Sequence, residues 1–242
     1  MKVKLFGIFD RTFGALFRGI ELTLRGRAQM STLHYHVNQL AIQDSAKYAM
    51  NNFFEAMICN TREELWVYCI ERSSMNPPQK TGAIVEFGVW KGYSINFFAK
   101  NCPESQVYGF DSFEGLEEDW TGILGHLKGH FNLDGKVPKV EKNVQLFKGR
   151  FENTVPSFAS KLNKGDIRIL HLDADTYKPT SYVLNSLSKI IESGTIVIFD
   201  EYFGYPNFRS HEFKAWGEFI NSNKLKYRYI AYAELAVAVE IL

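Results

Sequence analysis

The sequence predicts an α/β protein, with a seven-stranded and mostly parallel sheet carrying helices on both faces, preceded by an N-terminal helical extension. Three observations predict it. From residue 80 onward, short β-rich runs alternate with helical stretches. Most of the runs are apolar along their whole length, as strands covered on both sides tend to be. The chain closes with two aromatic or aliphatic runs, Tyr227–Tyr232 and Leu235–Leu242, whose short connection implies an antiparallel hairpin at the sheet edge.

The extension comes first in the chain. Residues 1–30 hold six bases (Lys2, Lys4, Arg11, Arg18, Arg25 and Arg27) against Asp10 and Glu21. Phe6, Phe9, Phe13, Leu16, Phe17, Ile20 and Leu24 follow helical spacing, a pattern suited to packing on another subunit or to peripheral contact with a membrane surface. Gly7, Gly14, Gly19 and Gly26 weaken such a helix in isolation and favour the packed reading. The phenylalanine content points to a homo-oligomer. Residues 31–75 read as further helix, with a capping box at Thr61 and Glu64, and Pro77 and Pro78 end it. The expected division is therefore a helical extension over 1–79 and an α/β domain over 80–242.

Within the second part the expected strands are Ile84–Phe87, Gln106–Phe110, Val144–Phe147, Ile167–Leu172 and Thr195–Phe199, with a helix around His211–Asn221 before the hairpin. Five alternating units closed by a hairpin describe a Rossmann-like sheet of the methyl-transferring type better than a plain dinucleotide fold.

Composition narrows the function. The 242 residues are 45% hydrophobic and carry a net charge of +1, so no overall basic field favours nucleic acid. Cys59, Cys69 and Cys102 lack the spacing of a zinc site or a disulfide framework, which fits a reducing, cytoplasmic setting. Charges interrupt the apolar N-terminal stretch and argue against a signal peptide or a membrane span.

Chemistry gathers at the strand ends. Glu86-Phe87-Gly88-Val89-Trp90-Lys91-Gly92-Tyr93-Ser94 follows a strand and opens a helix, where glycines permit close backbone approach and the helix start offers free N–H groups. The next strand ends at Asp111, where nucleotide-type folds bind ribose hydroxyls. Glu86 suits an amine or a ribose better than a pyrophosphate, so the cationic, phosphate-free S-adenosylmethionine fits this lining better than NAD. Farther on, Asp173 and Asp175 follow one strand, and Asp200 and Glu201 follow the next. Adjacent parallel strands should bring these carboxylates together, and either a divalent cation neutralises them or raised pKa values keep some protonated. Mg²⁺ or a similar oxygen-seeking ion is favoured, because the cluster lacks cysteine. His171, inside its strand, reads as a hydrogen-bonded core histidine without an assigned role.

These motifs resemble the macrocin O-methyltransferase family, the metal-dependent sugar-hydroxyl methyltransferases. The likeness spans roughly residues 80–220. It is carried by Val85–Gly92, by Tyr108-Gly109-Phe110-Asp111-Ser112-Phe113-Glu114-Gly115-Leu116, by Lys148–Thr154, by Leu172-Asp173-Ala174-Asp175-Thr176-Tyr177 and by Phe199-Asp200-Glu201-Tyr202. The resemblance implies that Glu86, Gly88, Gly92, Ser94, Asp111, Ser112 and Asp173 line S-adenosylmethionine, with Gly149 and Phe151 near its adenine. It further implies that Asp173, Asp200 and Glu201 hold the metal and that Asp175 is the general base. Tyr93 stands where a second glycine is common, Arg150 where a tryptophan is common, and Glu201 where a second aspartate is common.

The expected activity is thus metal-assisted methyl transfer to a hydroxyl of a sugar or glycosylated small molecule. Metal-free transfer to a carboxylate or amine, and a non-catalytic cofactor-binding partner protein, are the alternatives. The segment Glu117–Lys142, with Trp120, His126, His130 and Phe131, reads as a cover over the acceptor, and Tyr202–Phe208 as the acceptor wall.

Overall fold

A computed structural model of the chain describes residues 32–75, 82–121 and 126–242. The basic helix expected over residues 1–30, and Pro77 and Pro78, lie outside these. Helix α1 (Leu33–Asn52) begins where Thr32 Oγ1 accepts the Tyr35 N–H at 3.3 Å. The stretch 31–75 does not continue as helix alone. Phe53 turns inward onto Tyr229, with ring centroids 4.1 Å apart, and the chain forms a two-residue strand β1 (Met57–Ile58) before α2 (Arg62–Met75). The cap of α2 matches the sequence signature: Thr61 Oγ1 accepts the Glu64 N–H at 3.2 Å. The Glu64 carboxylate reaches back one residue farther, to the Asn60 N–H at 2.8 Å.

The alternation then runs β2 (Ala83–Phe87), α3 (Tyr93–Asn101), β3 (Val107–Asp111), β4 (Val144–Lys148), α4 (Phe151–Ala159), β5 (Ile167–Leu172), α5 (Tyr177–Ser186) and β6 (Ile196–Phe199). Helix α6 (Glu212–Asn223) precedes the hairpin of β7 (Tyr227–Ala233) and β8 (Ala236–Ile241). Among the described residues the sheet has eight strands rather than seven, in the order β1-β7-β8-β6-β5-β2-β3-β4. The additional strand is β1, which pairs in parallel with β7, so β7 is an inner strand and the hairpin does not form the sheet's border. Strand β8 runs antiparallel to both of its neighbours, β6 and β7.

Alternating side chains build two cores. Val85, Phe87, Leu170 and Phe199 face α4, α5 and α6 through Phe158, Leu184 and Trp216. Ile84, Ile169 and Ile198 face α2 and α3 through Trp66 and Phe98. Burial on both faces explains why these strands read as unbroken apolar runs. The register places Phe87 beside both Phe110 and Leu172, and Leu172 beside Phe199. The residues that follow each of these strands therefore emerge at one rim of the sheet.

Candidate active site

At that rim the turn after β2 is set by Gly88. Its φ of +92° belongs to a region L side chains rarely adopt, and a Cβ there would fall 1.7 Å from the Asp173 carbonyl oxygen. The close approach lets the Asp173 N–H donate to Phe87 O at 2.8 Å, locking the β2 turn to the end of β5. Asp111 holds the turn from the other side. Its Oδ2 accepts the Val89 and Trp90 N–H groups at 2.8 and 2.7 Å, and its Oδ1 accepts the Phe113 N–H at 2.6 Å. Asp111 therefore organises the glycine turn as well as facing the cavity beside it.

That cavity, about 650 Å³, is lined by Gly88, Ser94, Asp111, Ser112, Gly149, Phe151 and Asp173 from the expected cofactor set, and by Asp175, Asp200 and Glu201. Its size lies within the range of small-molecule sites. Gly149 donates its N–H to Asp111 O at 2.9 Å, and Phe151 packs edge-on against Phe87 with centroids 5.2 Å apart. Two expected residues are not in the lining. Gly92 shapes the turn from behind with a φ of +82°, at the start of α3. Glu86 points to the opposite side of β2 from Phe87, is fully buried, and through Oε2 accepts from His171 Nδ1 at 3.0 Å. Period-two alternation explains this: a residue one position before Phe87 faces α2 and α3, while the cavity lies beyond the strand end.

The carboxylates converge, but in a different grouping from the one expected. Asp173, Asp175 and Glu201 each offer an oxygen within 4.8 Å of the others. Asp200 is drawn aside: its Oδ2 accepts from Arg62 Nη1, and its Oδ1 lies 3.5 Å from His171 Nε2. Burial pushes the carboxyls of Asp173 and Glu201 well up, and the negative charge of Asp200 adds to the effect. Asp175, held at a φ of +59°, is pushed up to about 7 by burial together with the charges of Asp200 and Asp111. For Asp200 burial acts upward but is outweighed by the hydrogen bond and charge of His171 and by Arg62, so its carboxyl sits below the usual range. The residues fit a bound divalent cation. Three carboxylates meet inside a cavity, and Glu201 Oε2 is buried without a hydrogen-bond partner.

Several contributors escaped the sequence reading. Arg62 lies 138 residues from its partner Asp200, within a segment legible only as a helix start. Glu212, fully buried, accepts the Glu201 N–H at 3.2 Å and fixes that backbone. The acceptor wall expected at Tyr202–Phe208 does not line the cavity. Tyr202, Phe203, Tyr205 and Phe208 are buried, with Tyr202 bonded to the Tyr229 hydroxyl at 2.8 Å. Their aromatic character serves the core. Instead Trp90, Trp120, His126 and Phe131 line the cavity, with Trp90 edge-on to Phe131 at 5.2 Å and His126 stacked on His130 at 3.9 Å. The three cysteines are free and buried. Among the described residues no helix is long and apolar enough to cross a membrane.

Comparison with known proteins places this arrangement. A family model described as a methyltransferase domain matches residues 85–202, the stretch from β2 to just beyond β6. The chain is 26% identical, over 159 residues, to 8-demethyl-8-(2,3-dimethoxy-alpha-L-rhamnosyl)-tetracenomycin-C 4'-O-methyltransferase of Streptomyces olivaceus, covering 56% of this chain and 58% of that one. The calicheamicin methyltransferase CalS11 superposes with a TM-score of 0.56 at 22% identity, covering 73% of this chain and 77% of that one. The O-methyltransferase NovP superposes with a TM-score of 0.57 at 20% identity, covering 74% and 78%. The two structures show the fold, an α/β Rossmann-like methyltransferase sheet.

Proposed function

We propose that the protein transfers a methyl group from S-adenosylmethionine to a hydroxyl of a sugar or glycosylated small molecule, assisted by a divalent cation. The observation that carries this reading is the convergence of Asp173, Asp175 and Glu201 within 4.8 Å in a cavity bordered by the glycine turn. The matched methyltransferase domain supports the reaction class, and the S. olivaceus relative, whose name specifies a rhamnosyl-bearing substrate, supports the acceptor class.

Gly88, Ser94, Asp111, Ser112, Gly149 and Phe151 would receive the cofactor, and Asp173 and Glu201 would hold the cation, leaving Asp175, the third member of the trio, for the proton. When bound, such an ion lowers the pKa of a hydroxyl that it meets and orients its oxygen. The chain's own work is to fix these groups and to move one proton. Burial and the charges of Asp200 and Asp111 push the Asp175 carboxyl up to about 7, which suits it to take the proton in this reading. Asp111 and Gly88 hold the turn, while the Glu212 bond to the Glu201 N–H fixes the carboxylate next to Asp200. Trp120, His126 and Phe131 would offer ring faces to the acceptor.

Calorimetry with S-adenosylmethionine, followed by transfer assays on a panel of glycosylated acceptors with Mg²⁺ or EDTA, tests the reading. Cofactor binding with chelator-sensitive transfer is expected. Transfer indifferent to EDTA removes the cation, and absence of cofactor binding removes the activity altogether.

A further inference from the structure

Asp200 follows β6 directly and was expected among the metal ligands, yet the trio whose oxygens converge leaves it out. Its two oxygens face side chains from different elements: Arg62 at the start of α2 and the His171 imidazole within β5. His171 also faces Glu86, so Glu86, His171, Asp200 and Arg62 form a line of polar contacts from the sheet interior to the cavity. The inner three members are shut away from solvent. Arg62 is 40% exposed, lines the cavity, and also approaches Glu234 of the β7–β8 turn at 3.8 Å.

A guanidinium stays charged at any working pH, so Arg62 is a fixed unit of positive charge beside four strand-tip carboxylates. Of the other cations lining the cavity, Arg150 and Lys178 are each paired with a glutamate of the cover, Glu117 and Glu118, and Lys91 sits over the Trp90 ring at 4.2 Å. We propose that Arg62 is the resident counter-ion of the strand-tip carboxylates, holding Asp200 away from the converging trio and opposing, by its charge, any dication seated on Asp173 and Glu201 beside Asp175. The proposal rests on the cation reading above. It assigns Arg62 an electrostatic role toward the metal, with no contact to the reacting atoms.

Mn²⁺ is the probe, with binding to the full chain measured by calorimetry and by the electron spin resonance signal of the free ion, in the absence of cofactor and acceptor. Removing one positive charge a few ångströms from a dication changes its affinity by about an order of magnitude in a partly wet site. R62Q is expected to bind Mn²⁺ about tenfold more tightly than the wild type, and R62K, which keeps the charge, within about threefold of it. The metal-free R62Q protein is expected to melt below the wild type, with the gap narrowing when Mn²⁺ is added. R62Q/D200N removes the ion pair as a unit and is expected to bind Mn²⁺ within about threefold of wild type, which keeps the test open should R62Q alone fail to fold. Unchanged or weaker binding by folded R62Q, or loss of binding in the double variant, overturns the counter-ion assignment while leaving the cation reading intact. Mn²⁺ binding by R62Q but not by wild type upholds the assignment and removes the cation from the wild-type reaction. Failure of both to bind overturns both.

Discussion

His171 Nδ1 lies 3.0 Å from Glu86 Oε2, and neither side chain has any exposure to solvent. Burial acts to lower the imidazole pKa, but the hydrogen bonds and charges of Asp200 and Glu86 outweigh it and raise it from 6.5 to about 10. The rings of Trp66 and Phe98 pack around the imidazole at 5.7 and 5.4 Å and keep water from the pair.

A folded-state pKa above the unfolded value means that the native state holds its proton longer. The stabilisation from His171 is therefore complete below about pH 6.5 and is lost as pH rises through about 10. Thermal melts in EDTA should show a midpoint falling across that window. His171→Gln should lower the midpoint at pH 7 by the equivalent of about 3 kcal/mol and flatten the fall, because a broken buried pair leaves Glu86 uncompensated. An unchanged alkaline slope in the variant would assign it to other groups.

Gly88→Ala should be among the most damaging single substitutions. The added Cβ meets the Asp173 carbonyl at 1.7 Å, in backbone conformation unfavourable to alanine. Separating the β2 turn from Asp173 costs about 3 kcal/mol or more, readable as a shifted denaturation midpoint in urea, and cofactor binding should fall with it. A variant that melts like wild type would show that the turn relaxes freely.

Asp175→Asn keeps the shape of the site and removes its proton acceptor. Turnover should drop by roughly 10²–10⁴-fold, while the dissociation constant for S-adenosylmethionine changes little. Stopped-flow or discontinuous transfer assays decide this, and retained turnover would take Asp175 out of the chemistry. In wild type, turnover should rise with pH along a limb at or below about 7, since the ionised carboxylate is the active form and a neighbouring dication would move the limb downward.

Phe131→Ala should separate acceptor from cofactor. Phe131 lines the cavity and meets Trp90 edge-on at 5.2 Å. Loss of one ring face is expected to raise the acceptor KM about tenfold with cofactor affinity unchanged, as steady-state kinetics would read. Equal KM values would place the acceptor away from this wall.

The strands and the rim were legible because both derive from local pattern. Apolar runs such as Ile167–Leu172 cannot be exposed, and parallel neighbours must end side by side, so the convergence of acids after β5 and β6 followed from position. What period-two alternation also implied, that Glu86 faces away from Phe87 and out of the cavity, was obscured by its place in a ligand-binding motif. Arg62 and Glu212 could not be read from spacing, because each reaches its partner through tertiary packing. Likewise Tyr202 and Tyr205 carry the look of a binding wall, and only the depth of the core beneath α1 and α6 absorbs them. Strand β1 was invisible for a different reason: two residues are too few to carry a period.

That short strand has a consequence for how the chain can be cut. Met57 and Ile58 pair with Ala231 and Tyr232 on the outer side of β7. A shortened protein starting at Asn60 would retain every carboxylate at the rim, yet it would uncover the β7 edge at Ala231 and Tyr232 and leave the whole length of that strand open to other molecules. Residues far upstream of the chemistry thereby guard the domain against sticking to its own copies.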